Sequence, residues 1–361
     1  MADPDFSRYH RQMLLPNWGN RGQYALHHAH IAIVGVGALG SVVAEQLCRA
    51  GVGTITLIDR DIVELTNLQR QALYSEADIG KPKVEAAEAR LHQINSTIRI
   101  FAEATDLRAE NAEAVLGISA QRPAAIIDGT DNFETRYLLN DVAVKHDIPL
   151  IYAGAVGTSG TTTTILPGHT PCLRCLQPFP PDPGTLPTCD TAGVLGSTTA
   201  LIASIQAAAA LHLIVDADAA AEPGTSPSSD RNELLSADLR SGTFRSLNIS
   251  AAKNPDCPCC ALRQFTFLTG AHESSDRTLC GRNTVQITPI SPRQVQLAAL
   301  ALRLSAIGVC RSSGQSVTVT LPGDGPATAP TEVTVFRDGR VLVSGTTDIA
   351  RARGIASRIL G

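Results

Sequence analysis

Residues 31–40 read IAIVGVGALG, an apolar run that passes into three glycines at G-x-G-x-x-G spacing. A helical pattern follows over residues 38–50, and a second apolar run, TITLID, occupies residues 54–59. This succession predicts a strand, a tight turn, a helix and a second strand, which is how a parallel nucleotide-binding sheet begins. The bare glycine backbone leaves room for phosphates at the N-terminus of the helix.

The candidate nucleotide contacts in this segment are the glycines of the turn and the acidic residue that ends the second strand. They are Gly35, Gly37, Gly40 and Asp59. A carboxylate at the end of that strand can accept a hydrogen bond from a ribose hydroxyl. On these features alone, a nicotinamide-dependent oxidoreductase is the favoured interpretation.

The pattern after residue 59 extends the same architecture and then changes. It predicts helices over 83–95, 134–146 and 193–215, parallel strands over 98–104, 124–128 and 150–153, an antiparallel strand over 160–166 and a hairpin over 234–249. From residue 284 it predicts strands over 284–290, 316–321, 331–336 and 341–344 and helices over 292–307 and 349–360. We therefore expect an α/β fold, with a doubly wound, Rossmann-like, mostly parallel sheet and an antiparallel extension over residues 1–269, a linker over 270–281, and a small, separate α+β domain of unknown role over 282–361.

Bulk composition limits the classes of partner. The chain has 361 residues, a formal net charge of -4 and a pI near 6.1, so it lacks the basic excess of a nucleic-acid-binding surface. No uninterrupted apolar stretch reaches the roughly 18 to 20 residues that span a bilayer, and the N-terminus has no signal-peptide pattern. We expect a cytoplasmic protein without nucleic-acid or membrane partners.

Several cationic motifs argue against hydride transfer. The chain contains RYHRQ from residue 8, NLQRQ from residue 67, GKPKVE from residue 80 and DGTDN from residue 128. Attack on an ATP phosphate needs Arg and Lys to neutralise charge and a carboxylate to hold Mg²⁺, whereas a dinucleotide oxidoreductase has no use for this set. Any one of Arg11, Arg70 and Lys83 taken alone is better explained as a solvated surface charge.

Eight motifs in order resemble those of the MoeB, ThiF and HesA-type adenylyltransferases, which share a core with the ubiquitin-activating enzymes. They are RYHRQ, GVGALGS, AGVGTITLIDRDIVELTNLQRQ, GKPKVEAA, DGTDNFETRYLLND, PCLRC, TCDTAGVLG and NPDCPCC. The resemblance implies an α/β homodimer that uses ATP and Mg²⁺. Its substrate would be the C-terminal glycine carboxylate of a ubiquitin-fold sulfur-carrier protein ending in Gly-Gly, in molybdopterin or thiamine synthesis. Pyrophosphate would be released.

The resemblance also assigns roles to individual residues. It implies that Gly40 and Asp59 contact the nucleotide, with Asp59 on the ribose, that Asn67, Arg70 and Lys83 face the phosphates, that Asp131 holds Mg²⁺, and that Arg11 reaches the ATP of the partner subunit. These residue types suit the reaction, because a carboxylate is a weak nucleophile. Positioning and charge stabilisation at the α-phosphate and pyrophosphate must lower the barrier, and no general base is required.

Two pairs of cysteines predict a structural metal site. Both follow C-x₂-C spacing, in the segments CLRC and CPCC. Four thiolates at this spacing suit tetrahedral Zn²⁺, with Cys172, Cys175, Cys257 and Cys260 as the ligands. Cys259 is a further thiol of the second pair and leaves open which cysteines of that pair bind. Two unrelated pairs of buried cysteines are the alternative.

Cys189 is a candidate nucleophile. It lies in the segment TCD just before the long helix, and a thiol ahead of a helix N-terminus is more readily ionised. In the resembled family, a cysteine here aligns with the residue that forms a thioester or persulfide link in some members. A covalent role and an inert packing role for Cys189 both stay open.

Two further function classes compete with adenylylation. A NAD-dependent oxidoreductase fits the glycine turn but leaves Arg11, Arg70, Lys83 and the cysteine pairs unexplained. A degenerate relative that binds a ubiquitin-fold protein without catalysis is the second alternative. Carrier choice depends on surface contacts, so the sequence does not identify the carrier.

Overall fold

The computed structural model describes residues 5–181, 185, 189–220, 232–270, 276–279, 283–289, 294–322 and 330–360. Within these residues, the strands form one sheet of eight strands and one of six. The larger sheet has the order β3-β2-β1-β4-β5-β6-β7-β8. Its strands are β1 (His30–Val34), β2 (Thr54–Ile58), β3 (Arg99–Glu103), β4 (Ala125–Asp128), β5 (Leu150–Val156), β6 (Ser159–Ile165), β7 (Glu233–Asp238) and β8 (Thr243–Asn248).

Strands β1 to β5 pair in parallel, and β5 to β8 pair antiparallel, which confirms the predicted doubly wound sheet with an antiparallel extension. Alternate residues of β1 lie in two different cores, Ile31 and Ile33 in one and Ala32 and Val34 in the other. Because successive side chains of a strand point to opposite faces, burial on both faces makes β1 a continuous apolar run.

Helices cover both faces of this sheet. They are α1 (His10–Met13), α2 (Gly19–His28), α3 (Gly40–Ala50), α4 (Lys83–Ile94), α5 (Ala112–Val115), α6 (Phe133–Lys145), α7 (Leu173–Leu176), α8 (Cys189–Ala192) and α9 (Gly196–Ala220). Within the described residues, one stretch, Gly196–Ala217 of α9, is long and apolar enough to cross a membrane by length and composition, and half of it is buried. It packs against α2, α3, β5 and β6, as expected for a core helix.

The six-stranded sheet is antiparallel and has the order β11-β12-β13-β14-β10-β9. We call it, with its two helices, the C-terminal unit. Its elements are β9 (Asp276–Leu279), β10 (Thr284–Ile287), α10 (Leu297–Leu304), β11 (Val309–Ser312), β12 (Ser316–Leu321), β13 (Thr331–Phe336), β14 (Val341–Ser344) and α11 (Ile349–Leu360). The predicted small α+β unit is therefore present, with its own core of mainly valine and leucine.

The C-terminal unit differs from its sequence-based prediction at its edges. Strand β9 lies inside the predicted linker 270–281, β11 was not expected, and α10 is shorter than the predicted helix over 292–307. Both added strands are edge strands with a single partner. A strand at the edge of a sheet is less covered than a central strand, so its sequence needs fewer apolar residues at regular positions. The sequence pattern of such a strand is therefore weak.

The C-terminal unit also packs directly on the larger sheet. Phe336 of β13 and Leu342 of β14 are buried in the same apolar cluster as Val84 and Leu91 of α4. Gln315 donates a hydrogen bond from its side-chain nitrogen to the carbonyl oxygen of Ala102 on β3, at 3.2 Å. The unit predicted to be separate thus shares a core with the first 269 residues.

Candidate nucleotide site and cysteine cluster

Two of the three turn glycines are required by contacts within the chain. Gly35 has φ +84°, and a Cβ there would lie 2.6 Å from the carbonyl oxygen of Gly129. A Cβ at Gly40 would lie 1.8 Å from the carbonyl oxygen of Gly35. At Gly37 the nearest atom would be a side-chain nitrogen of Gln71, at 3.8 Å. The backbone at Gly37 is therefore the part of the turn with space for a ligand.

Asp59 connects the glycine turn to the loop after β2. Its carboxylate oxygens accept hydrogen bonds from the backbone N–H of Val36 at 2.7 Å and of Asp61 at 2.8 Å. Burial raises the pKa of Asp59, and the nearby Lys83 ammonium opposes that shift. The residue lies at the carboxyl end of β2, where nucleotides bind in doubly wound sheets.

Lys83 is buried, and this rules out the solvated surface charge that its sequence position allowed. Its side chain is 3% exposed, and its Nζ lies 3.0 Å from Oδ2 of Asp61. Its backbone N–H also donates to the carbonyl oxygen of Asp61, at 2.9 Å. A buried ammonium at the start of α4 is thus held against the loop that follows β2.

The segment after this loop brings three further polar residues to the same region. Asn67 is buried, and its Oδ1 accepts from the backbone N–H of Glu64 at 3.1 Å. Arg70 is partly exposed and donates to the carbonyl oxygen of Thr66 at 2.9 Å. Gln71, which the sequence analysis did not select, is buried, and its Oε1 makes no hydrogen bond within the described residues.

Asp131 is exposed at the carboxyl end of β4, on a loop that a buried arginine supports. Arg136 pairs with Asp128 (Nε to Oδ2, 3.1 Å) and donates to the carbonyl oxygens of Thr130 at 2.8 Å and Ala153 at 3.0 Å. Burial lowers the pKa of Arg136, but Asp128, Tyr152 and Asp131 together outweigh burial, and the net shift is upward. Sequence reasoning missed Arg136, although a charge inside a buried helix signals a partner.

Arg60 is a second arginine that sequence reasoning missed. Its Nη1 lies 3.1 Å from Oδ1 of Asp106, in the loop after β3. Burial lowers its pKa, but the carboxylates of Asp106, Asp61 and Asp131 outweigh burial and raise it. The position of Arg60 between two aspartates at a strand end was the available signal.

The structure therefore brings most of the predicted nucleotide residues to one edge of the sheet, at the carboxyl ends of its parallel strands. We call this region the nucleotide edge. The glycine turn, Asp59 and Asp131 follow β1, β2 and β4, and Lys83 lies beside the second of these loops. Arg11 is exposed on α1. Cys189 is the first residue of α8, and its side chain lies outside the described part of the chain.

The four predicted metal ligands converge on one point. The Sγ atoms of Cys172, Cys175, Cys257 and Cys260 all lie within 4.8 Å of one another. Three measured separations are 3.9 Å for Cys172 and Cys175, 3.6 Å for Cys172 and Cys257, and 3.4 Å for Cys175 and Cys260. A tetrahedral ion with Zn–S bonds of about 2.3 Å needs sulfurs roughly 3.8 Å apart. The donor set and its spacing fit Zn²⁺.

Cys259 has a different environment from these four cysteines. It is fully buried, and its Sγ accepts a hydrogen bond from the side-chain nitrogen of Asn140 on α6, at 3.2 Å. It is not part of the four-sulfur group. Cys259 therefore ties the segment of the second cysteine pair to α6 through Asn140.

Comparison with known proteins agrees with this geometry. A family model described as the ThiF family matches residues 9–259. The chain belongs to the ThiF family. It is 39% identical over 356 residues to the sulfur carrier protein ThiS adenylyltransferase of Bacillus subtilis, covering 98% of this chain and 99% of that protein. It is 38% identical over 262 residues to the sulfur carrier protein adenylyltransferase of Thermus thermophilus, covering 71% of this chain and 91% of the other.

Solved structures agree on the fold of this ThiF-family chain. A crystal structure of E. coli MccB with ATP is 25% identical, with a TM-score of 0.57, and the match covers 71% of this chain and 75% of that one. MccB with MccA-N7isoASN is 24% identical, with a TM-score of 0.60 over 72% of this chain and 75% of that one. The resemblance identified from the eight motifs is confirmed.

Proposed function

We infer that this protein uses ATP to adenylylate the C-terminal glycine carboxylate of a ubiquitin-fold sulfur-carrier protein and releases pyrophosphate. The observation that carries the inference is the buried Lys83 at the nucleotide edge of a ThiF-family chain, with its Nζ 3.0 Å from Oδ2 of Asp61. A near full-length relative is named a ThiS adenylyltransferase, which supports the same activity. A dinucleotide oxidoreductase would gain nothing from an ammonium buried there.

The proposed reaction is a displacement at the α-phosphorus of ATP. A carboxylate oxygen of the carrier forms a bond to that phosphorus while the bond to the bridging oxygen of pyrophosphate breaks, and the leaving group takes the electron pair. Lys83 and Arg70 offset the negative charge that builds on the phosphates. The open backbone at Gly37 lets the phosphates approach closely. Asp59 orients the ribose. No proton needs to move in this step.

Asp131 is the proposed Mg²⁺ ligand. It is an exposed carboxylate at the nucleotide edge, and hard cations prefer such oxygen donors. The ion would add positive charge against the phosphates when bound. We expect Asp131→Ala to abolish ATP–pyrophosphate exchange while thermal unfolding stays near that of the wild type. Normal exchange in this variant would remove Asp131 from the site.

We further propose a homodimer in which Arg11 completes the partner's ATP site. The exposed position of Arg11 on α1 is compatible with this role. Arg11→Ala should lose exchange, and mixing it with Asp131→Ala subunits should restore part of the activity, because one site of the mixed dimer has both residues intact. Absence of complementation in verified mixed dimers would place the whole site within one chain.

The cysteine cluster is proposed to hold structural Zn²⁺. Its four thiolates fill a tetrahedral shell, so the ion would have no open position for catalysis. The cluster would then stabilise the fold around α6 and α7 and take no part in adenylylation.

The decisive test is ATP–pyrophosphate exchange with purified carrier proteins of the thiamine and molybdopterin type. Exchange that depends on a carrier ending in Gly-Gly supports the proposal, and a carrier lacking the final glycine is the matched control. Carrier binding without exchange would favour the non-catalytic binder. Tight binding of NAD with neither exchange nor carrier binding would favour the oxidoreductase.

Cys189 is proposed to act only after adenylate formation, because the first step needs no thiol. Cys189→Ala should keep exchange and lose any covalent adduct between carrier and enzyme that forms without reductant. Loss of exchange would instead point to a structural cysteine. Survival of both activities would make Cys189 a bystander.

A further inference from the structure

The turn between β13 and β14 reaches the nucleotide edge through one buried arginine. Arg340 is 1% exposed, and its two terminal nitrogens donate to carbonyl oxygens of the larger sheet. Nη1 donates to Arg60 at 2.9 Å, and Nη2 donates to Ala104 at 2.8 Å. These carbonyls lie just beyond the ends of β2 and β3. One guanidinium of the C-terminal unit therefore bridges two loops at the edge where the nucleotide is proposed to bind.

The guanidinium of Arg340 is held in a defined orientation. Its Nε donates to Oδ2 of Asp338 at 3.0 Å, and its own backbone N–H donates to Oδ1 of the same residue at 3.0 Å. Its central carbon lies 4.2 Å from the ring centroid of Phe336. Arginine keeps its charge and has a planar set of donors, so it can hold two carbonyls at fixed positions.

A second contact from the C-terminal unit acts on the same loop. The side-chain nitrogen of Gln286, a buried residue of β10, donates to Oδ2 of Asp106 at 3.0 Å. The other oxygen of Asp106 accepts from Nη1 of Arg60 at 3.1 Å. The backbone of Arg60 is thus held directly by Arg340, and its side chain is held through Asp106.

We propose that the C-terminal unit positions the ribose-binding loop, and that Arg340 is the positioning residue. This rests on the proposed function, because Arg60 lies between Asp59, proposed to orient the ribose, and Asp61, which pairs with Lys83. A shift of the Arg60 backbone moves both neighbours. Packing alone does not require Arg340, since Phe336 already joins the shared apolar core.

The experiment uses the full-length chain with Arg340→Lys and Arg340→Met. Lysine keeps the charge but has a single ammonium, so it cannot hold both carbonyls in the same geometry, and methionine removes every donor. Gln315→Ala is the matched control, because it removes a contact from the C-terminal unit to β3 that does not involve Arg60. Thermal unfolding of each variant separates folded from unfolded samples.

We expect Arg340→Met to raise the KM for ATP about ten-fold, with kcat and the KM for carrier changed by less than about two-fold, since lost ground-state positioning appears in KM. Arg340→Lys should give an intermediate value, and Gln315→Ala should match the wild type. If Arg340→Met does not fold, Arg340→Lys alone decides. Two results overturn the proposal in favour of a purely structural contact. One is a wild-type KM for ATP in the folded lysine variant, and the other is a fall in kcat together with a rise in both KM values.

Hydrogen exchange supplies a readout that does not depend on the carrier. Coupling between two sites is reciprocal, so ATP should slow amide exchange in the turn at residues 337–340 of the wild type and should not do so in Arg340→Lys. Absence of ATP protection in the wild-type turn, at saturating ATP, would also overturn the proposal. If ATP binds the wild type and protects this turn while no carrier supports ATP–pyrophosphate exchange, the proposed function fails and the positioning role stands.

Discussion

The nucleotide edge and the cysteine cluster solve opposite electrostatic problems. At the nucleotide edge, three cations whose side chains are less than one-fifth exposed each pair with an anion of the chain: Lys83 with Asp61 at 3.0 Å, Arg136 with Asp128 at 3.1 Å and Arg60 with Asp106 at 3.1 Å. In the cluster, four sulfurs face one another, and closely spaced thiolates repel unless a cation joins them. The first region is preorganised by the chain, and the second would be completed by the proposed Zn²⁺.

Helix α6 connects the two regions. Its N-cap, Asn132, accepts from the backbone N–H of Thr135 at 2.9 Å, directly after the loop that carries Asp131. Two turns later, Asn140 accepts from the backbone N–H of Leu173 at 2.8 Å and donates to Cys259 at 3.2 Å. Loss of the cluster should therefore reach the nucleotide edge through a single rigid element.

The largest effect is expected at the cluster. Cys257→Ser should reduce zinc from about one ion per chain to near none and should unfold the protein at ordinary temperature, since structural zinc contributes on the order of 10 kcal/mol. Elemental analysis and thermal unfolding measure both changes. Cys259→Ala is the control and should retain the ion, because Cys259 lies outside the four-sulfur group. A stable, zinc-free and active wild type would break the comparison.

The next effect tests whether the nucleotide edge is held together by its internal ion pairs. Arg136→Met leaves Asp128 buried without its cation, and we expect a loss of about 3 to 5 kcal/mol in unfolding free energy. Denaturant titration measures it. Arg122→Met is the control, because this exposed arginine also donates a hydrogen bond to a backbone carbonyl, that of Asp147, at 2.9 Å. Its replacement should cost less than about 1 kcal/mol of unfolding free energy. Equal losses would contradict the assigned difference.

A smaller free-energy change, visible in activity, is expected at Lys83. Lys83→Met should lower ATP–pyrophosphate exchange about 100-fold, because a cation facing the phosphates is lost in a water-poor site. Lys81→Met is a closely matched control, since its Nζ pairs with Asp78 at 2.9 Å but its side chain is 51% exposed. Exchange in that control should be unchanged. Similar losses in both variants would deny Lys83 a specific role.

The smallest effect concerns pH. Burial raises the pKa of Asp59, so the native state holds that proton more tightly than the unfolded chain does. The stability that Asp59 contributes is then complete below its unfolded pKa and is lost as pH rises through the folded one. Unfolding free energies of the wild type and Asp59→Asn, compared from about pH 4 to pH 8, should diverge in favour of the variant as pH rises.

Asp78→Asn is the control for this pH dependence. Burial of Asp78 is outweighed by hydrogen bonds from Lys81 and Ser75, which lower its pKa. Its contribution is therefore present above its unfolded pKa and is lost only at more acidic pH. The difference between the wild type and Asp78→Asn should stay constant from about pH 5 to pH 8. A rising difference at Asp78, or a constant one at Asp59, would contradict the opposite pKa shifts of these two carboxyls.

The sequence alone was sufficient for features that depend on local pattern. The apolar run before Gly35 predicts a strand of a parallel sheet, and the structure places β1 at the centre of the parallel part of the sheet. The C-x₂-C spacing predicts the four-sulfur cluster, because two cysteines three positions apart can bring their thiols together within one short turn. Motif order was enough to identify the family. Each of these signals lies within a short stretch of chain.

Only the tertiary structure decided which charges are paired and which part of the chain supports the nucleotide loop. Arg340 and the carbonyl of Arg60 are 280 positions apart, and Gln286 and Asp106 are 180 positions apart. Contacts at such separations leave no periodic pattern, and an isolated arginine in a turn resembles a solvated one. Lys83 illustrates the same limit, because its burial depends on the loop that folds against α4. The sequence determined the elements and the family, and packing between distant segments determined the environment of each charge.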